Sequence, residues 1–234
     1  MKHVTVIQHT QSEWLGAIED HLEGRGIRFS YVRPFIAGAK IPDVAMLGDG
    51  LILIGGGPWG AANPDHLLPT LEAEVRLVRA CLMLGIPVIG FGLGSQILSL
   101  AAEGRVVETP LVFRIGEARR TQDDALGGQM PAAFPNVVYM RDRPEPPAYA
   151  AILARDSDGT IAAFQIGANA FGFSGHPGIR RAMIEDLIME SDDGPPDPAP
   201  TLAALGGLGS RIEDALVLLM TGMVAATGWM QTAT

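Results

Sequence analysis

Apolar strand-like runs alternate with amphipathic helical patterns through the first part of the chain, and this alternation constrains the fold more than any other feature. Four runs are strand-like: residues 3–8, 27–33, 51–54 and 87–91. Between them, residues 12–26 and 71–82 place apolar side chains every three or four positions, which indicates amphipathic helices. Continuous apolar strands joined by such helices are typical of a parallel sheet that is covered on both faces. We therefore predict an α/β fold.

The first predicted helix has recognisable ends. Ser12 is a suitable N-cap, and Trp14, Ile18 and Leu22 follow at helical spacing before glycines 24 and 26 end the pattern. The helix predicted over residues 12–26 completes a β-α-β unit with its two flanking strands.

The second part of the chain has a different pattern. Short strand-like runs separated by tight turns predict antiparallel hairpins over residues 136–140, 150–155, 160–167 and 169–173. A helix is expected over residues 179–190, a proline-rich loop or linker over residues 194–200, and a final helix from Arg211. We expect one domain over residues 1–234, with residues 191–234 as a helical C-terminal extension.

Composition limits the function classes. The chain has 234 residues, of which 47% are hydrophobic and 18% charged, as in a globular domain, and its formal net charge is -9. No run of Lys or Arg interrupts this acidity, so we expect no nucleic-acid partner. The single cysteine, Cys81, and an N-terminus that begins directly with a strand predict a cytoplasmic protein.

The apolar segment over residues 215–230 raises the question of a membrane anchor. It is shorter than the roughly 20 residues that span a bilayer, and it contains two glycines and two threonines. We predict a buried or oligomer-forming helix here and no membrane association.

Residues 88–96 read VIGFGLGSQ and place a glycine-rich turn directly after an apolar strand. A nucleophile elbow has this form: a reactive side chain on a sharp turn from strand to helix, with small neighbours and an oxyanion-binding amide on the next residue. Gly90 and Gly94 flank the apex, but the apex is Gly92, which has no side chain. The turn has the frame of an elbow without its nucleophile.

With this motif, the sequence resembles the class I glutamine amidotransferases, in particular the stand-alone branch similar to the glutaminase portion of GMP synthase. The family's elbow, G-[aliphatic]-C-x-G-x-Q, corresponds to residues 90–96, and its preceding G-x-P-V to residues 85–88. Its G-G-P loop corresponds to residues 56–58, and its F-x-F-H-P-E strand end to residues 173–178. The likeness extends from residue 3 to the end of the chain.

The resemblance implies a three-layer α/β/α, flavodoxin-like fold and, in ordinary members, release of ammonia from glutamine by a Cys-His-Glu triad. This chain has Gly92 where the family has the nucleophilic Cys and Gly178 where it has the Glu, so that His176 alone remains. The backbone amides of Gly56, Gly57 and Leu93 would still offer hydrogen bonds to a substrate oxygen. Gln96 would support the elbow close to the substrate.

Two functional hypotheses follow. The first is a catalytically inactive amidotransferase-like protein that acts as a binding, accessory or regulatory subunit of a partner synthetase or transferase, or as a homo-oligomer, and holds a small amide or amino acid. The second is a non-standard amide hydrolase or amidotransferase component in which His176 acts with Ser95, Ser174 or a residue of a partner. Cys81 precedes the strand that leads to the elbow and is expected further from the site.

No cofactor or metal is predicted. The loop GGGPWG lacks the Gly-Lys-[Ser/Thr] that would meet phosphates. The histidines are scattered without metal-ligand spacing: His3, His9, His21, His66 and His176.

Overall fold

A computed structural model describes residues 1–190 and 193–230 of the protein. In these residues the strands are β1 His3–Ile7, β2 Arg28–Val32, β3 Gly50–Leu53, β4 Val88–Phe91, β5 Arg105–Val107, β6 Val112–Arg120, β7 Ala133–Met140, β8 Arg143–Glu145, β9 Ala151–Asp156, β10 Ile161–Ile166 and β11 Ala170–Phe173. The α-helices are α1 Ile18–Glu23, α2 Leu71–Leu84, α3 Leu93–Ala101, α4 Arg181–Glu190, α5 Ala199–Gly206 and α6 Gly209–Ala226.

Nine strands form one central sheet in the order β2-β1-β3-β4-β11-β10-β9-β6-β7. The neighbours from β2 to β11 pair in parallel, and those from β11 to β7 pair antiparallel. Strands β5 and β8 form a separate antiparallel pair. The predicted α/β fold, with a parallel region followed by antiparallel hairpins, is confirmed.

Alternating side chains of β3 explain why helices cover both faces of the sheet. Ile52 belongs to a buried cluster with Ile18 and Leu22 of α1 and with residues of α6. Leu51 and Leu53 point to the opposite face, where they belong to a second cluster with residues of α2 and α3. Because successive strand residues face opposite sides, a continuous apolar strand needs a helical layer on each side.

Helix α1 is much shorter than predicted. It begins at Ile18 after Ala17, an N-cap that makes no side-chain hydrogen bond, and it ends at Glu23 with Gly24 as its C-cap. The prediction that Ser12 caps a helix over residues 12–26 is therefore wrong at its start. The residues before Ile18 make contacts with other loops of the sheet edge in place of helical hydrogen bonds, as described below.

The C-terminal region also differs from the prediction. Helix α5 begins at Ala199, inside the predicted linker, and the final helix begins at Gly209 rather than at Arg211. Prolines fit the first turn of a helix, where their missing N–H has no intrahelical partner, so a proline-rich run is compatible with a helix start. Of the predicted extension over residues 191–234, residues 191–192 and 231–234 lie outside the described part.

Helix α6 includes most of the apolar segment over residues 215–230. Leu216, Met220 and Met223 are buried in the cluster that also contains Ile18 and Leu22 of α1. Within residues 1–190 and 193–230, no helix is both long enough and apolar enough to cross a bilayer.

Candidate functional site

The turn between β4 and α3 has the geometry expected of an elbow. Gly92 has φ 53° and ψ -117°, and its amide donates to the Phe173 carbonyl at 2.9 Å. A side chain on Gly90 would overlap with the backbone of Gly94. Glycine adopts this backbone conformation freely, whereas another residue held there is strained by roughly 1–3 kcal/mol. The sharp turn is thus present and unstrained at its apex.

The glycine loop after β3 faces this turn. A Cβ atom on Gly92 would lie 3.2 Å from Cα of Gly55, and a Cβ on Gly56 would overlap with the Leu93 side chain. Both loops follow the carboxyl ends of neighbouring parallel strands, where ligands bind in open α/β sheets. The structure thus brings these two loops together at one edge of the sheet.

His176 lies next to the elbow, but both of its ring nitrogens are bonded to backbone atoms. Nε2 lies 2.8 Å from the Trp14 carbonyl oxygen, and the Gly178 amide donates to Nδ1 at 3.2 Å. The ring stacks on Phe91 with centroids 5.4 Å apart. Burial lowers the pKa of His176 to about 4. The imidazole is therefore neutral at physiological pH, donates from Nε2 and accepts at Nδ1.

Gly178 is enclosed by the start of α1. A Cβ atom there would lie 2.7 Å from Cγ1 of Ile18 and 2.9 Å from the Ile18 amide nitrogen. The Gly178 carbonyl also accepts from the Ala17 amide at 2.9 Å. A carboxylate side chain at position 178 would require the start of α1 to move.

The three other candidate nucleophiles are each bonded or buried elsewhere. The Ser95 hydroxyl donates to the Gly92 carbonyl at 2.6 Å, and the Ser174 hydroxyl has a long contact of 3.4 Å to the Ala162 carbonyl. Cys81 lies in α2, where burial raises the pKa of its thiol to about 12. Neither serine is paired with His176, and the thiol is protonated.

Gln96 links α3 to the turn between β7 and β8. Its Nε2 donates to the Arg141 carbonyl at 2.6 Å. Arg141 in turn donates from Nε to the Pro58 carbonyl at 3.0 Å, and the Asp142 carboxylate accepts from the amides of residues 61 and 62. Gln96 therefore connects the elbow helix to the turn that holds the GGGPWG loop.

Glu13, which the sequence analysis did not select, reaches into the same site. Its Oε2 accepts from the Gly57 amide at 3.3 Å, and a Cβ on Gly55 would overlap with its carboxylate. Burial raises the pKa of Glu13 to about 7. Of the three predicted amide donors, Gly56, Gly57 and Leu93, the Gly57 amide thus already has an acceptor from the protein itself.

A buried ion pair lies beside Glu13. His9 places Nε2 2.8 Å from a Glu74 carboxylate oxygen and Nδ1 3.2 Å from the Gly55 carbonyl. Both partners are acceptors, so both ring nitrogens have to donate, which requires an imidazolium. Burial alone would lower the pKa of His9, but the charge and hydrogen bond of Glu74 outweigh it, and the net shift is upward.

The position of His9 and Glu13 in the sequence, in the segment after the first strand, could have indicated that they belong to the site. His9 and Thr10 lie two and three residues beyond the end of β1, and the carboxyl end of β1 lies at the same sheet edge as those of β3 and β4. The incorrect prediction of a helix over residues 12–26 assigned Glu13 to a helix rather than to a loop at this edge. In the described residues, no group of three His, Cys, Asp or Glu side chains is arranged to hold a metal ion.

No protein-family model and no curated protein matches the sequence. Among solved structures, a glutamine amidotransferase from Methylobacillus flagellatus is 20% identical, with a TM-score of 0.82 over 100% of this chain and 97% of that one. A glutamine amidotransferase from Thermotoga maritima is 19% identical, with a TM-score of 0.77 over 97% and 98%. A candidate GMP synthase subunit from Thermoplasma acidophilum is 18% identical, with a TM-score of 0.60 over 90% and 98%. The chain therefore has a glutamine amidotransferase-like fold.

Proposed function

We propose that this protein is a catalytically inactive member of the glutamine amidotransferase fold, a pseudoenzyme that acts as a binding, accessory or regulatory subunit. The observation that carries the proposal is the state of His176. Its two ring nitrogens are occupied by the Trp14 carbonyl and the Gly178 amide, so the imidazole has no free nitrogen with which to accept a proton from a nucleophile.

The absence of a side chain at the elbow supports the same proposal. Acyl transfer of the family type begins with attack of a thiolate on the amide carbon, and Gly92 has no group that can attack. Enzymes that lose such a triad retain roughly 10³ to 10⁴ of acceleration over water, from binding and the oxyanion hole alone. In this chain Glu13 also occupies the Gly57 amide, so the residual rate acceleration should be smaller still.

A non-standard amide hydrolase is the second candidate. It would use His176 with Ser95, Ser174 or a residue of a partner. The hydroxyl of Ser95 points back to the Gly92 carbonyl, and Ser174 lies at long contact distance from the Ala162 carbonyl. Both contacts favour the inactive interpretation.

A protein partner is the proposed context of action. One solved structure with this fold is described as a candidate subunit of GMP synthase, and we propose a synthetase or transferase subunit, or a second copy of the chain, as the partner. Two exposed apolar side chains close to the GGGPWG loop support a docking surface: Phe35 lines a pocket with Trp59, and Leu67 pairs with Gly60. The single buried thiol of Cys81 supports the cytoplasm as the proposed location.

A glutaminase assay tests the proposal. Purified protein is incubated with L-glutamine and with γ-glutamyl amides, and ammonia release is compared with that of the His176→Ala variant and of an active amidotransferase. We expect both forms of this protein to give the same background rate. Turnover that depends on His176, or that is lost in Ser95→Ala or Ser174→Ala, would refute the proposal in favour of the hydrolase.

Native purification from the protein's own cells tests the partner. We expect a stable complex, either with another protein that mass spectrometry identifies or between copies of this chain. A protein recovered only as a monomer, with no component retained at physiological salt, would contradict the subunit role.

A further inference from the structure

The carboxyl group of Glu13 is positioned where a ligand of the glycine loop would bind. Glu13 is 3% exposed, its Oε2 accepts from the Gly57 amide, and its carboxylate lies against the side of Gly55 on which a Cβ would project. Gly55 also lies opposite the elbow apex, at 3.2 Å from the place of a Gly92 Cβ. One carboxyl group thus occupies the Gly57 amide and the side of Gly55, a residue that also contacts the elbow apex.

The segment that carries Glu13, residues 8–17, is fixed on both sides of this side chain. On its C-terminal side, the Trp14 carbonyl accepts from His176 at 2.8 Å, and the Leu15 amide donates to the Tyr31 hydroxyl at 3.1 Å. On its N-terminal side, the amides of Gln11 and Ser12 donate to the Glu190 carboxylate. The carboxyl group is therefore held in place by its backbone.

The surroundings are those of a polar site rather than of an apolar core. Burial raises the pKa of Glu13, and the Gly57 amide and the nearby imidazolium of His9 act against this shift. Within the described residues, the hydroxyl groups of Thr10 and Tyr139 are buried without a hydrogen-bond partner, and both side chains are more than nine-tenths buried. Thr10 contacts the Gly57 position, and the charge of Glu13 acts on Tyr139. Buried polar groups normally have partners, so this region retains the capacity to bind polar atoms.

We propose that Glu13 is a specificity-determining residue that acts as a built-in ligand of the site. Its carboxyl group occupies the Gly57 amide, at which the carbonyl oxygen of an amide substrate would bind, and it thereby excludes free amides and carboxylates, glutamine included. This inference rests on the proposed function, because it describes why the remaining site does not take the substrate of its structural relatives.

Chemical rescue tests the inference. Glu13→Ala removes the occupant and leaves the Gly57 amide without an acceptor, so a small carboxylate should bind in its place. Formate and acetate are added to the wild type, Glu13→Ala, Glu13→Gln and Glu72→Ala at matched ionic strength, and the melting temperature is measured. We expect both anions to raise the Tm of Glu13→Ala alone. The amide oxygen in Glu13→Gln still accepts from Gly57, and the exposed carboxylate of Glu72 pairs with Arg76 rather than with a backbone amide.

L-Glutamine provides a second readout by ligand-observed NMR. We expect binding to Glu13→Ala that is at least about tenfold tighter than to the wild type. Equal stabilisation of the wild type and Glu13→Ala by formate, or of neither, would overturn the inference, as would equal affinity of the two for glutamine.

If Glu13→Ala does not fold, the chemical shift of the Gly57 amide in the wild type tests the inference instead. We expect this shift to change with pH as Glu13 titrates and to lose the pH dependence in Glu13→Gln. Addition of glutamine to the wild type should leave it unchanged. A glutamine-induced shift of the wild-type resonance would overturn the inference. These are binding measurements, so they fail independently of the glutaminase assay, which tests turnover.

Discussion

The backbone carbonyl of Trp14 accepts a hydrogen bond from Nε2 of His176 at 2.8 Å, although the two residues are 162 positions apart in the chain. The contact joins the segment before α1 to the end of β11 at the edge where the elbow lies. It gives the His176 imidazole an acceptor from the backbone. The histidine thereby links the segment before α1 to the segment after β11.

His176 should make the protein sensitive to acid. Its pKa is about 4 in the folded state and 6.5 as the ordinary value, so the unfolded chain takes up a proton first as the pH falls. The contribution of His176 to the free energy of unfolding is lost between pH 6.5 and pH 4, by about 2 kcal/mol between pH 7.5 and pH 5. Urea unfolding of the wild type and of His176→Gln at these two pH values measures this contribution as the difference between their pH dependences. The same change of stability with pH in both proteins would contradict the assignment.

Glu13 should act in the opposite direction. Its pKa is about 7 in the folded state against an ordinary value of 4.5, so the folded chain retains the proton longer as the pH rises. The contribution of Glu13 to the free energy of unfolding falls as the pH rises from 4.5 to 7. We expect a fall of about 2–3 kcal/mol between pH 5 and pH 8 that is present in the wild type and absent from Glu13→Gln. Urea unfolding of both proteins at pH 5 and pH 8 tests this. If the free energy of unfolding changes equally with pH in both proteins, the pKa of Glu13 is the same in the folded state as in the unfolded chain, which would contradict the prediction.

A cysteine at position 92 should not by itself confer glutaminase activity. Gly92→Cys places a side chain at the apex, but His176 keeps both ring nitrogens on backbone partners and Gly178 provides no carboxylate. We expect glutaminase activity at background in Gly92→Cys and in Gly92→Cys with Gly178→Glu, the latter because α1 occupies the space. Ammonia release and labelling of the new thiol by a glutamine analogue measure this. Efficient turnover by the single variant would disprove our account of His176.

Gly178→Ala should destabilise the fold. The added Cβ would lie within 3 Å of two atoms of Ile18, and overpacking of this kind costs about 1–3 kcal/mol. Gly116→Ala is a matched control, because nothing lies within 4 Å of the corresponding position in β6. Urea unfolding compares the two variants. A Gly178→Ala protein as stable as Gly116→Ala would mean that α1 yields easily and that position 178 is not sterically closed.

The buried pair of His9 and Glu74 should contribute much more to the stability of the fold than an exposed ion pair on α2. Both side chains are fully buried at 2.8 Å, and removing one partner of a buried pair leaves an uncompensated charge that costs about 3–5 kcal/mol. The control is Glu72→Gln, whose pairing with Arg76 is exposed and contributes less than about 0.5 kcal/mol. Denaturant unfolding of Glu74→Gln and Glu72→Gln at pH 7 gives the comparison. Similar losses in the two variants would contradict a charged His9.

Sequence reasoning was most successful where the pattern is local. Runs such as residues 51–54 and 87–91 have to be buried on both faces, and this property alone predicts a sheet between two helical layers. It also places the GGGPWG loop and the turn at Gly92 on one edge, where they face each other. Sequence reasoning failed where a tertiary contact competes with a local preference. Trp14, Ile18 and Leu22 have helical spacing, yet the chain is helical only from Ile18, because the preceding residues bind His176 and Gly178.

By itself, the sequence determined that position 92 has no nucleophile and position 178 no carboxylate, since residue identity needs no folding. It also determined the α/β architecture, because strand burial follows from the periodicity of neighbouring side chains. Only the tertiary structure decided what occupies the site. Glu13 and Trp14 reach Gly57 and His176 through contacts between residues that are far apart in the chain, and no local pattern encodes which distant donor a carboxyl or carbonyl oxygen will meet.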